Sequence, residues 1–220
     1  MSFLRRLFGL ESNSQDAIPV ASSYAAERRS ATLLKAATSL KEDKRYDEAV
    51  AILRQAFDEI AKEGGGHPIS TYLRLPMMLQ LAGRREEAWA EYSRLLSTDA
   101  TGMGFDPEIG PMERSQIYDK MRLMLQREGR HRSAVSMAIF SQISWAIGLK
   151  RQRRNEELLE HVSAETVSEM ITPLLKKARA MAAHDEVVAL LTAELSKLDQ
   201  VDFALLANRI DAIIPRERTP

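Results

Sequence analysis

The strongest constraint on this chain is a ten-residue pattern that occurs three times. Leu40 to Ala49 reads LKEDKRYDEA, Leu79 to Ala88 reads LQLAGRREEA, and Leu125 to Ala134 reads LQREGRHRSA. All three are leucine, three residues, Gly or Lys, Arg, three residues, alanine. Each part has a physical role in joining two antiparallel helices. The leucine closes the first helix, and the Gly-Arg or Lys-Arg pair makes a tight turn. The alanine lets the second helix come close, because a larger side chain there would hold the two backbones apart.

The flanking residues follow the helical period. Leu33, Ala36, Ala37 and Leu40 make one apolar stripe, and Ala49, Ile52, Leu53, Ala56, Phe57 and Ile60 make a second. Gly64-Gly65-Gly66 ends it, since glycine costs a helix interior about 1 kcal/mol relative to alanine. Tyr72, Leu75 and Leu79 form a third stripe, and Ala88, Trp89, Tyr92, Leu95 and Leu96 a fourth. Thr98 to Pro111 reads as a long loop. Tyr118, Met121 and Leu125, then Ala134, Met137, Ala138 and onward to Trp145, form the next pair. Further on, Ser163 is placed to cap a helix from Ala164. Pro173 is expected to interrupt that helix and start another. Val187, Val188, Leu191, Leu195 and Leu198 form one later face, and Phe203, Leu206, Ile210, Ile213 and Ile214 another. No apolar–polar alternation marks a strand. The fold class is all-α.

Composition narrows the function. Lys plus Arg and Asp plus Glu both number 31 in 220 residues, so the net charge is zero. Nucleic-acid binders usually carry a basic excess, because phosphate neutralisation supplies much of their affinity. With no cysteine, disulfides, thiolate nucleophiles and cysteine-held metals are excluded. A cytoplasmic setting fits. No apolar run approaches the ~20 residues needed to span a bilayer.

The repeated turn and its second helices resemble the tetratricopeptide repeat, a helix-turn-helix unit of about 34 residues. Ala49, Leu53, Ala56; Ala88, Tyr92, Leu95; and Ala134, Ala138, Ser141 occupy the second-helix positions, and Leu33, Tyr72 and Tyr118 the first-helix aromatic position. The small residue expected four positions on is Ala37, then Pro76, then Arg122. Pro76 is expected to kink or start a helix there. Ala61 and Ala100 stand in place of the consensus proline, and the key alanines lie 39 and 46 residues apart, so the links between units carry insertions. The resemblance implies a right-handed stack of antiparallel hairpins, an α-solenoid, with extra C-terminal helices. The organisation is then an amphipathic segment and linker over 1–23, repeats over 24–155, and a helical extension over 156–214 that packs on them. A fourth, degenerate unit can be drawn near Val188.

The resemblance also implies a function: a non-enzymatic adaptor, scaffold or assembly factor holding a partner segment on the concave face of its first helices. Family phase places Lys35, Thr38, Lys41, Arg74, Met77, Lys120, Leu123 and Arg127 on that face. Lys35, Arg74 and Lys120 form a basic stripe suited to an acidic, partly apolar partner. Some members grip a C-terminal carboxylate with Lys and Asn. Leu34 and Thr38 occupy those positions in the first hairpin, so that clamp is not supported.

Two other segments suggest alternatives. Phe3, Leu4, Leu7 and Phe8 can share one helix face beside Arg5 and Arg6, which would make a small peripheral membrane anchor. The twin arginines echo an export signal, but polar Glu11 to Asp16 follows where an apolar region is required. Lys150-Arg151-Gln152-Arg153-Arg154 is the one basic run and offers a nucleic-acid or lipid contact; Glu156, Glu157 and Glu160 follow it, and a helix end favours cations anyway. Methionine suits both adaptable binding surfaces and irregular cores, and most of the ten, which include Met77, Met78, Met121, Met124 and Met137, read as core. His67, His131, His161 and His184 are scattered without converging ligands, so no metal is expected. The Gly64–Gly66 run lacks the Gly-Lys-Ser/Thr of a phosphate loop. No catalytic spacing and no cofactor site emerges.

Overall fold

The structure is a computed structural model that describes residues 28–63, 67–97, 110–154, 156, 158 and 163–214. Among the described residues there is no strand, and no helix is long and apolar enough to cross a membrane. Helices α1 (Arg29–Glu42) and α2 (Tyr46–Glu63) form the first hairpin. The second joins α3 (Ile69–Tyr72) and α4 (Arg74–Leu81) to α5 (Arg85–Leu96). Then come α6 (Gly110–Arg127) and α7 (His131–Arg151). A fourth hairpin pairs α8 (Ala164–Lys177) with α9 (His184–Leu195), and α10 (Phe203–Ile213) follows.

The three repeated turns fold alike. The second residue after the helix lies in the left-handed region, with φ of 60° at Lys44, 77° at Gly83 and 74° at Gly129. The next amide reaches back to the pattern leucine: Arg45 N–H to the Leu40 carbonyl at 2.8 Å, Arg84 to Leu79 at 2.9 Å, Arg130 to Leu125 at 2.9 Å. These bonds satisfy carbonyls that the helix end would leave without donors. Ala49, Ala88 and Ala134 are 0%, 0% and 1% exposed, as the close approach of paired helices requires. The same closure recurs twice more, with Arg154 N–H bonded to the Leu149 carbonyl at 3.0 Å and Ala180 N–H to Leu175 at 2.9 Å. Here Arg153 and Arg179 take the left-handed position. Neither site has the glycine or the spaced alanine, so the sequence pattern does not reveal them.

Three prolines and one helix face test the sequence reading. The helix is interrupted at Leu73, and Pro76 falls in the first turn of α4, where a missing N–H is tolerated. Gly110 and Pro111, assigned to a loop from sequence, instead begin α6. Pro173 does not end its helix; α8 runs through it to Lys177. A proline inside a helix costs about 3 kcal/mol. Burying Val167, Ile171 and Leu175 on one face of α8 offsets this, at about 1.5–3 kcal/mol for each side chain fully removed from water. On α1 the inward residues are Ser30, Leu34 and Ala37, while Ala36 is exposed. The stripe expected from Leu33 and Ala36 is therefore rotated by about one residue.

Two hydrophobic cores meet at the α6–α7 hairpin. One gathers α1 to α5 around Leu53, Tyr72, Leu79, Tyr92 and Leu95, and takes Ile117 and Met124 from α6. The other gathers α7 to α10 around Ile139, Ile143, Ile171, Leu191 and Ile210, with Tyr118 of α6 packed against it. Helix α7 is buried on most of its surface, as an all-round apolar helix must be. Ser163 caps α8, accepting from the Thr166 amide at 3.1 Å, and Asp202 caps α10. Buried Glu194 on α9 accepts from Arg209 of α10, which locks the last helix down.

Candidate functional site

The first helices of successive hairpins are joined by side chains. Arg74 on α4 donates through Nη2 to the Leu34 carbonyl at 2.7 Å and to Thr38 Oγ1 at 2.8 Å, both on α1. Arg127 on α6 donates through Nη1 to Gln80 Oε1 on α4 at 2.7 Å. Arg54 on α2 meets Glu87 on α5 at 3.0 Å, and Arg84, the residue before α5, meets Asp47 on α2 at 3.5 Å. Side chains thus reach from α4 to α1 and from α6 to α4, while beyond its own hairpin α4 packs mainly on α2, and α6 lies against α5.

Two of these bonds involve residues expected on the first-helix face. Thr38 meets Arg74, and Arg127 meets the Gln80 that precedes Leu81. Lys35, Thr38, Lys41 and Arg127 are exposed, while Met77, Lys120 and Leu123 are half-buried. Leu81, one turn after Met77, is 44% exposed, one of the few large apolar side chains so open to water among the described residues. The surface thus carries apolar spots at Met77, Leu81 and Leu123 between cations on α1 and α6.

The three basic residues of the stripe have different neighbours. Arg74 is turned onto α1, and its burial lowers its pKa from the usual arginine value. Lys120 Nζ lies 3.8 Å from Asp119 Oδ2, and Asp119 also accepts from Arg122 at 2.6 Å. Lys35 stays exposed on α1. Arg74 therefore holds hairpins together, a duty that phase alone does not reveal.

Phe3, Leu4, Arg5, Arg6, Leu7 and Phe8 lie outside the described residues, as does the linker. The basic run closes α7: Lys150 pairs with Asp199 at 2.6 Å, and Arg153 is the left-handed turn residue. Of the methionines, Met78 and Met124 are core, but Met77, Met121 and Met137 are half-buried. His184 was read as isolated, yet its Nε2 lies 3.1 Å from both Ser168 Oγ and Thr172 Oγ1, and its Nδ1 lies 2.8 Å from Asp185 Oδ1. Only an expectation that α8 and α9 pair could have found this cluster, since its members are up to 17 positions apart. Asp185 is fully exposed and two hydroxyls share one ring nitrogen, so the cluster acts as a tie between α8 and α9. Among the described residues no group of three or more His, Cys, Asp or Glu side chains converges as a metal site would require.

Comparison of the chain with family models, with curated proteins and with solved structures finds no match.

Proposed function

We propose that this chain is a non-enzymatic protein-interaction module whose hairpins stack as a right-handed, tetratricopeptide-like solenoid. The face of α1, α4 and α6 holds an acidic, partly apolar segment of a partner protein. The observation that carries this reading is the pair of ties Arg74–Leu34/Thr38 and Arg127–Gln80. They support a continuous surface built from three first helices, where apolar spots alternate with cations. Extended or helical partner segments suit such a surface, because side-chain anchors give specificity while the flanking charges steer the approach.

The test reverses Lys35, Lys41 and Lys120 to glutamate and leaves Arg74 alone, because Arg74 has a structural duty. Proteins recovered with the wild-type chain by quantitative affinity purification are expected to drop about ten-fold or more, the loss of charge-assisted contacts. Far-UV circular dichroism is expected to stay unchanged. Equal recovery by a folded triple variant rules the face out as the docking surface.

A further inference from the structure

A second feature lies off that face, at the junction of the two cores. Trp89 of α5, Met121 and Leu125 of α6, and Arg130 and Met137 at and near the start of α7 line a cleft of about 290 Å³. Trp89 and Met121 pack on the first core and Met137 on the second, and all three are only half-buried. Arg130 is paired with Glu128 at 3.8 Å, so the rim asks for no further charge. What the cleft lacks is an apolar side chain. Two thioethers with several rotatable bonds can close around an inserted group, and the tryptophan ring adds a flat apolar wall.

We infer that this cleft seats the chain's own link between hairpins two and three, with the Phe105 side chain as its anchor. Residues 98–109 lie outside the described residues, but the two ends of the link limit where it can go. It leaves α5 after Ser97 and joins α6 at Gly110, so both helices that hold it also line the cleft. It is longer than a connection between neighbouring helices requires. Residues 64–68, five in all, suffice between α2 and α3, whereas residues 97–109, 13 in all, separate α5 from α6. The spare length matches the distance to the cleft. Met121 stands about 16 Å along α6 from Gly110 at 1.5 Å a residue. Phe105 is five residues from Gly110, and an extended chain covers about 17 Å in that many. From the other end, Trp89 lies about 12 Å back along α5 from Ser97, and the eight residues from Ser97 to Phe105 can span about 27 Å. Phe105 is therefore within reach of Trp89 and Met121 from either side, and it is the one aromatic residue of the link. Tethering at both ends keeps it near the cleft at an effective concentration on the order of millimolar, which a separate protein would have to exceed. The other apolar segment, Phe3 to Phe8, is tethered to α1, which contributes nothing to the lining.

The experiment uses the full chain in two ways. With Trp145→Phe, Trp89 becomes the sole tryptophan of the two. Adding Phe105→Ser is expected to move Trp89 emission to longer wavelength and to increase its quenching by acrylamide, while Phe3→Ser with Phe8→Ser leaves both unchanged. The second arm uses the absence of cysteine from the chain. Phe105→Cys with Met137→Cys allows a single intramolecular disulfide. Under mild oxidation it is expected to close about ten-fold or more faster than Thr98→Cys with Met137→Cys, where the first position directly follows Ser97 at the end of α5. Far-UV circular dichroism checks that each variant folds; if either set does not, the other reads the same contact. Equal closure rates for the two cysteine pairs overturn the inference, and so does a folded Phe105→Ser variant whose Trp89 signal matches its parent. It is also overturned if deleting residues 1–10 alters Trp89 emission, since the terminus would then be the occupant. Emission that changes on dilution would assign the cleft to a second copy and overturn it too.

Discussion

Arg74 donates to the backbone carbonyl of Leu34 at 2.7 Å, reaching from the second hairpin into the first. The same nitrogen meets Thr38 Oγ1 at 2.8 Å, and Thr38 itself bonds back to the Leu34 carbonyl at 3.1 Å. One cation thus holds both a main-chain and a side-chain group of α1. Arg74→Met keeps the length of the side chain and removes the donor. It is expected to destabilise the chain by about 1.5–3 kcal/mol, the usual range for a hydrogen bond to a charged group. Urea unfolding followed at 222 nm measures this; a change under about 0.5 kcal/mol would mean that the tie is dispensable.

The left-handed turn residues make opposite predictions at different positions. Gly83 and Gly129 have φ of 77° and 74°, and a Cβ added at either meets no atom within 4 Å. Replacing either with alanine should cost about 1 kcal/mol from backbone strain alone. Lys44, Arg153 and Arg179 already accept that strain, at φ of 60°, 57° and 52°. Each mutated to glycine should gain up to about 1 kcal/mol, reduced by the greater freedom glycine gives the unfolded chain. Midpoints of denaturant unfolding, moving in opposite directions for the two groups, are the readout.

Gly148 on α7 sets how closely that helix approaches α6. A Cβ there would fall well inside contact distance of Met112 Cγ and 3.3 Å from the Met112 backbone nitrogen. Gly148→Ala is therefore expected to destabilise by about 1–3 kcal/mol, in spite of alanine's better helix propensity. Met112→Ala should recover part of that loss, because it removes the side-chain half of the clash. A double-mutant cycle with no coupling between the two positions would refute the contact.

Acid should loosen the helix ties in a defined window. The Glu48, Glu59, Glu63 and Glu87 carboxyls are each held below the ordinary value, chiefly by hydrogen bonds from Arg45, Lys62, Ser30 and Arg84 respectively. A depressed folded-state pKa stabilises the fold above the unfolded carboxyl value of about 4.3, and that stability is lost as pH falls through the lower folded value. Tm is expected to be level from neutrality to about pH 5 and to drop below about pH 4.5. Ser30→Ala removes the hydroxyl that donates to Glu63 at 2.7 Å and should make the drop shallower. An unchanged acid slope in that variant would show that Glu63 plays no part. High salt should weaken the ion-paired part of the effect, most at Glu48 and Glu87, which are open to solvent.

Much of this architecture was legible because it depends on local chemistry. Ala49, Ala88 and Ala134 announced three close helix approaches, and all three are buried. Ser163 was placed as a cap and acts as one. The misreadings share a cause. Pro173 looked like a helix end, but packing of Ile171 and Leu175 outweighs what proline costs locally. Ala36 looked inward because α1 is too weakly amphipathic to fix its own rotation; contacts with α2 fix it instead. At the candidate face, phase listed both Thr38 and Arg74, but it could not tell a solvated cation from one spent on a carbonyl.

The sequence by itself determined most of the helices, their order and three of the five like turns that fold them back on each other. Those follow from propensity, glycine and the period of apolar residues, all properties of a few neighbouring positions. Tertiary structure decided which partner each polar group finds. It turned Arg74 onto Leu34, gathered Ser168, Thr172 and Asp185 around His184, and left Trp89, Met121 and Met137 facing a cleft. Those outcomes depend on the distance and rotation between whole helices. Such quantities are set by the packing of two cores against one hairpin, and no short stretch of sequence encodes them.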